Sequence, residues 1–288
     1  MATAIRPERI ARLRAGVFGA TLFAGMAVAS GAAAQDRIPS HCIALAGPVQ
    51  TGPERVWRAG FGDPVAQDSV RISYIDHATF AIEASGNVTA VTDYTGWLGG
   101  ADVVPDVVTM NHAHSTHWTD RPDPRIPHVL RGWPEAGRPA EHRLDLGAML
   151  VRNVTTDIRY YGTEGVEPDG NSIFIFEAAG LCIGHLSHLH HEPTPAQYAR
   201  IGRLDVVFAP VDGTVTLDQP SMIRVMKRLR ASVVIPMHWF SGQRLERFLD
   251  GMQEDFLIER QGVSFTELSL DTLPRQPTVR VLEPALLP

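Results

Sequence analysis

The sequence predicts one mixed α/β domain over residues 69–288, and three observations carry that prediction. Short β-rich runs separated by tight turns fill the first half of the segment, as antiparallel meanders do. From residue 204 onward strand and helix patterns alternate. Eight of the chain's 12 histidines fall at 112–117, 185–191 and 238, each time just after a predicted strand. The carboxyl ends of strands are where sites collect in α/β folds.

The elements follow in order. "SVRISYI" (69–75), "ATFAIEA" (78–84) and "VTAVTDY" (88–94) alternate as a meander, with "SGN" the turn between the last two. "DVVTM" (106–110) is a continuous apolar run suited to a strand buried on both faces, and it leads straight into "NHAHSTHW". Residues 119–145, rich in Pro, Arg and Gly, read as an irregular excursion that covers a site. Strands resume at 149–154, 172–178, 181–186 and 204–210. A helix over 217–230 has Met222, Val225, Met226 and Leu229 on one face, Asp218 as N-cap and Pro220 in the first turn. A strand over 231–239 and an amphipathic helix over 243–252 complete the pattern.

Residues 1–34 have a different character. A basic leader, the apolar run "VFGATLFAGMAVA" and small residues ending near Ala34 have the layout of a cleavable secretory signal peptide. Residues 35–68 then form an N-terminal extension, and the expected location is periplasmic or secreted. Removing the leader takes away four arginines and one glutamate, so the chain becomes three units more negative than its formal −6. That balance argues against nucleic acid or an anionic membrane as partner and leaves a small-molecule substrate. An oxidising compartment permits a bond between Cys42 and Cys182, although the sequence leaves open whether they pair or stay buried as thiols. Oligomeric state is unreadable.

Neutral imidazole is a common ligand of zinc, copper, iron and nickel. His112 and His114, two apart on an extended segment, project to one side, and His117 reaches back from the next turn. His185 and His188 are site residues on this reading, and His190 and His191 are either site residues or surface neighbours. His41, His128 and His142 are assigned elsewhere. Trp118, Trp133 and Trp239 lie near enough in sequence to line a pocket.

These residues resemble the metallo-β-lactamase superfamily, in particular its small metal-dependent, lactonase-like hydrolases. "YIDHATFAIEASGNVTAVTDY" resembles that branch's opening strands, "DVVTMNHAHSTH" its His-x-His-x-Asp-His motif, and "LCIGHLSHLHH" a His-Leu-Gly-Asp-Leu segment. "VVFAPVDGT" resembles its Pro-Val-Gly-Gly turn, and "VVIPMHW" the strand ending in the last metal histidine. The resemblance implies a four-layer αββα sandwich with metal ligands among His112, His114, His117, His188 and His238. Two departures stand out: Thr116 occupies the place of a metal-binding aspartate, and His188 the place of the bridging one. Two divalent ions among neutral imidazoles would leave +4 uncompensated. The expectation is therefore one zinc per chain, held by His112, His114 and His188 with His117 or His238 beside them; two metals, or iron or manganese, are the alternatives. Asp93, Asp157 and Asp212 are the acids nearest such a site by analogy. Asp93, Asp157 or His77 would handle protons during catalysis.

The expected function is metal-dependent hydrolysis of a small ester, lactone, amide or phosphodiester. Its rival is a periplasmic metal-binding or sensor protein that keeps the fold without the chemistry, as the two missing aspartates suggest. Iron redox chemistry is the third reading, and the missing bridge argues against it.

Overall fold

A computed structural model describes residues 40–43, 60–100, 102–160 and 164–287. The expected signal peptide lies outside the described residues, as does most of the extension that follows it.

Two sheets face each other. The first has six strands: β1 (Ser69–Asp76), β2 (Thr79–Ala84), β3 (Val88–Val91), β4 (Val107–Met110), β5 (His128–Arg131) and, from the C-terminal part, β13 (Phe265–Ser269). Their order is β13-β1-β2-β3-β4-β5. The second contains β6 (Arg143–Asp145), β7 (Met149–Arg159), β8 (Val166–Ala178), β9 (Leu181–His185), β10 (Val206–Pro210), β11 (Val233–Met237), β12 (Leu257–Arg260) and β14 (Thr278–Val281). Its order is β12-β14-β11-β10-β9-β8-β7-β6.

The sheets meet through β-branched and aromatic side chains that alternate inward. Ile72, Phe80 and Ile82 from the first sheet pack on Phe174, Phe176, Phe208 and Ile235 from the second, all fully buried. Phe80 stacks between Tyr74 and Phe208, with ring centroids 4.4 and 4.3 Å away. The outer face of the second sheet is covered by three helices: α1 (Pro195–Ile201), α2 (Gln219–Leu229) and α3 (Gly242–Met252). Met222, Val225 and Met226 of α2 and Phe248 and Met252 of α3 supply the apolar stripe. The Asp218 side chain accepts from Ser221 N at 3.0 Å and starts α2 as its cap. Over the first sheet the outer layer is irregular among the described residues: Leu98, Ile126, Trp118 and Trp133 pack there on Val91, Val108 and Met110.

The mixed two-sheet sandwich is the expected fold, with differences in detail. The 119–145 excursion is not wholly irregular. It contributes β5, paired parallel to β4, and β6, paired antiparallel to β7. The hairpin β7–β8 is longer than its apolar cores, and it continues past a register shift between Thr156 and Ile158. The N-terminal segment is fastened by a Cys42–Cys182 disulfide. Ser40 Oγ and His41 N also donate to Glu177, and Arg203 N donates to Cys42 O.

That disulfide closes a 140-residue separation, so it restrains the unfolded chain strongly. Cys42→Ser is expected to lower unfolding stability by about 2–4 kcal/mol in urea titrations. Reduction of the natural protein should produce the same loss; equal stability in all three samples would contradict the pairing.

Candidate metal centre

The site sits where strands of both sheets end. β3, β4, β9, β10 and β11 deliver Asp93, Asn111, Ser187, Asp212 and His238 just beyond their last residues, and the β1–β2 turn adds His77. β3 and β4 run parallel, as do β9, β10 and β11, so their carboxyl ends converge. His77, Asp93, Ser187 and His238 all have positive φ, at 44°, 42°, 48° and 57°. Non-glycine residues seldom adopt this region, and a group of them at one place marks a backbone held in shape by its surroundings.

His77, His114, His117 and His238 each bring one ring nitrogen into a group whose atoms lie within 4.8 Å of one another. The Nε2 atoms of His77, His117 and His238 are buried without a hydrogen-bond partner. A buried lone pair left unused is costly, and several aimed at one spot suit a cation. Two of these rings have a carboxylate behind them. His117 Nδ1 lies 2.5 Å from Asp93 Oδ2, and His238 Nδ1 lies 3.1 Å from Asp212 Oδ1. A carboxylate offers only acceptors, so His117 holds its proton on Nδ1 and presents a bare Nε2 to the site; the Asp212 contact places negative charge beside His238 without a hydrogen bond to its ring. The donor set therefore fits a divalent ion that accepts imidazole.

Both carboxylates are fixed in turn. Asp93 is fully buried and also accepts from Ser187 Oγ at 2.6 Å and Asn111 Nδ2 at 3.2 Å. Burial pushes its pKa up, opposed by His185 and by those donors. Asn111 Oδ1 accepts from Ser172 N, which ties the first sheet to β8. A Cβ on Gly132 would lie 2.4 Å from that same Oδ1, so only glycine allows the approach. Asp212 accepts from Thr214 N, Val215 N and the Thr216 hydroxyl. Burial would raise its pKa, but His238 and the Thr216 and Thr214 donors outweigh burial and hold it well below the usual carboxylate range.

The other predicted residues fall as follows. His188 is buried with its Nε2 3.0 Å from His114 Nε2, outside the gathered group. His112 also stands apart: its ring stacks on Trp133 at 4.9 Å, and its Nε2 lies 2.9 Å from Glu167 Oε1. Thr116 Oγ1 contacts His114 Nδ1 at 2.7 Å. Asp157 is exposed on β7 and accepts from Asp169 N, with no contact to the gathered imidazoles. His185 is buried on Ala78 O at 2.9 Å. His190 is buried against His188 rather than lying at the surface. Ser187 and Asn111 escaped the sequence reading because Ser and Asn after a strand are ordinary loop residues.

Trp133 is also one wall of a groove of about 750 Å³, whose other walls include Arg131, Arg138, His142 and Thr155. Most of that lining comes from the excursion expected to cover the site. Trp118 packs edge-on against Trp133, whereas Trp239 packs into the core.

Residues 71–238 match the family model described as a beta-lactamase superfamily domain, and the chain belongs to that family. It is a member of the metallo-β-lactamase superfamily of metal-dependent hydrolases. A protein of Methanosphaerula palustris described as a UPF0173 metal-dependent hydrolase is 24% identical over 226 residues, which cover 74% of this chain and 100% of the relative. A solved structure from Thermotoga maritima, described as a candidate zinc-dependent hydrolase of the superfamily, is 29% identical with a TM-score of 0.55. It covers 74% of this chain and 98% of its own. The metallo hydrolase Igni18 from Ignicoccus hospitalis shares the fold at 18% identity and a TM-score of 0.50, over 75% of this chain and 96% of its own.

Burial, aided by neighbouring imidazoles, pushes the His77 pKa down to about 2 and holds His117 well below 6.5. Burial with Arg159 and His191 nearby pushes His190 down to about 4. An unfolded chain takes protons on these rings below pH 6.5, and the folded one refuses them. Stability of the metal-free protein is therefore full above pH 6.5. It should fall on the order of 1 kcal/mol per pH unit for each such ring as pH drops towards 4. Urea unfolding at stepped pH measures this; a flat profile between pH 7 and 4 would contradict the buried neutral cluster.

Proposed function

We propose that this chain is a secreted hydrolase that uses one zinc ion, held by His77, His114, His117 and His238, against a small ester, lactone, amide or phosphodiester. The observation that carries the reading is the set of three buried, unpartnered Nε2 atoms gathered together, two of them on rings backed by carboxylates. Bound there, zinc supplies a Lewis acid that makes water nucleophilic near neutral pH and polarises a carbonyl or phosphoryl oxygen.

The protein's own part is preorganisation. Asp93 keeps His117 in the tautomer that donates a lone pair inward, and Asp212 places its charge beside the His238 ring. Their two negative charges lie 2.5 and 3.1 Å behind the imidazoles and balance a single divalent ion. A second ion would bring two further charges to a group made only of histidines, so a mononuclear site is favoured. The groove beside His112 and Trp133 offers an aromatic wall and arginines for a small substrate. Secretion is supported by the N-terminal leader pattern and by the Cys42–Cys182 bond.

One observation favours the rival, a metal-binding protein without hydrolysis: no carboxylate stands among the gathered imidazoles, and the side chain against His114 Nδ1 is the hydroxyl of Thr116. Elemental analysis and an ester and lactone panel decide the matter. About one zinc per chain is expected, lost in His117→Ala and His238→Ala but kept in His112→Ala. Zinc bound without turnover would favour the rival. No metal on folded protein offered zinc, iron and manganese would overturn the site.

A further inference from the structure

Arg159 N donates to His190 Nδ1 over 2.8 Å. A backbone amide only donates, so His190 Nδ1 carries no proton and the neutral ring keeps its proton on Nε2. That nitrogen lies 2.5 Å from His188 Nδ1, which must accept. The proton of His188 is then on Nε2, 3.0 Å from His114 Nε2. His114 accepts there and turns its own proton, on Nδ1, towards Thr116 Oγ1 at 2.7 Å. One main-chain amide thus sets the tautomers of three imidazoles in series. His188 and His190 are only 1% and 4% exposed, so water does not interrupt the chain.

We infer that His188 is an N–H donor to the site, positioned by His190, and not a metal ligand. This rests on the proposed metal-dependent reading only for what the donor acts upon. The His188 ring centroid is 4.7 Å from that of His114, 5.0 Å from His117 and 5.0 Å from His238, so proximity does not keep it out of the gathered group. The direction of its nitrogens does. To ligate through Nε2, His188 would have to carry its proton on Nδ1, facing His190 Nε2. His190 would then have to accept on both nitrogens and hold no proton at all, which a neutral imidazole cannot do. Ligand and relay chain are mutually exclusive.

Two consequences follow. His117 presents a free lone pair at once, whereas His114 must first release the His188 N–H. Once released, that N–H is available to an oxygen of the substrate, the kind of fixed donor that stabilises developing negative charge.

Long-range proton–nitrogen correlation spectra of ¹⁵N-histidine protein test this directly. Metal-free protein should show His188 and His190 both protonated on Nε2, and zinc should shift the Nε2 signals of His117 and His238 while His188 stays protonated. A His188 proton on Nδ1, or a zinc-shifted His188 Nε2, would overturn the inference. His190→Phe should release His188 into a mixture of tautomers; an unchanged His188 would remove His190 from its positioning role.

Two variants add a metal readout. In His188→Gln the amide oxygen can accept from His190 and the amide nitrogen can donate onward, so zinc affinity should stay within about fivefold. His188→Leu should also keep zinc, but kcat should fall about a hundredfold with little change in KM, as for loss of one fixed donor. Loss of zinc in both folded variants would make His188 a ligand. If no substrate is turned over, the hydrolase reading fails, while the tautomer spectra and zinc retention still decide the role of His188.

Discussion

Asp93 is buried beneath the imidazoles, and its two oxygens take hydrogen bonds from His117, Ser187 and Asn111. These partners follow β4 and β9, one strand from each sheet, so the carboxylate joins the two layers at the point where the site opens. Asn111 extends the connection to Ser172, and Ser172 to Asn153 and the carbonyl of Gly132. A buried polar network of this kind is stable only when every member is satisfied, and here it also fixes the direction of one imidazole. Removing the carboxylate would leave His117 without its orienting acceptor and two further donors unmatched.

Charge and strain follow from the same arrangement. The acids sit behind the histidines rather than among them, so the space between the rings remains free of negative charge. That geometry suits a divalent cation. Four residues around this space are held at positive φ. Their turns are fastened by Asp93, by the donors onto Asp212 and by His238 N donating to His77 O. The cost of the strained turns falls on the site, and the packed sheets offset it.

The chain declares some of this openly. β1, β2, β4 and α2 are legible because their periods are clean and Asp218 and Pro220 mark a helix start. α1 is not, although Thr194 and Gln197 form a capping box, because seven residues give no readable stripe. β12 and β13 are short and mixed in polarity, and they find their places only by pairing with β14 and β1. At the site, sequence identifies the residue type but not the facing. His112 reads like a ligand and turns instead to Trp133 and Glu167; His77 reads like a proton carrier and joins the imidazole group. Ring orientation depends on tertiary partners such as Asp93 and Arg159, neither of which is adjacent in sequence to the ring it directs.

The most direct test of a mononuclear, all-imidazole centre is X-ray absorption at the zinc edge on loaded protein. The account predicts about four nitrogen neighbours near 2.0 Å with strong imidazole multiple scattering, and no metal–metal vector. A metal neighbour at about 3.5–4 Å would show that a second ion binds, and would contradict the account.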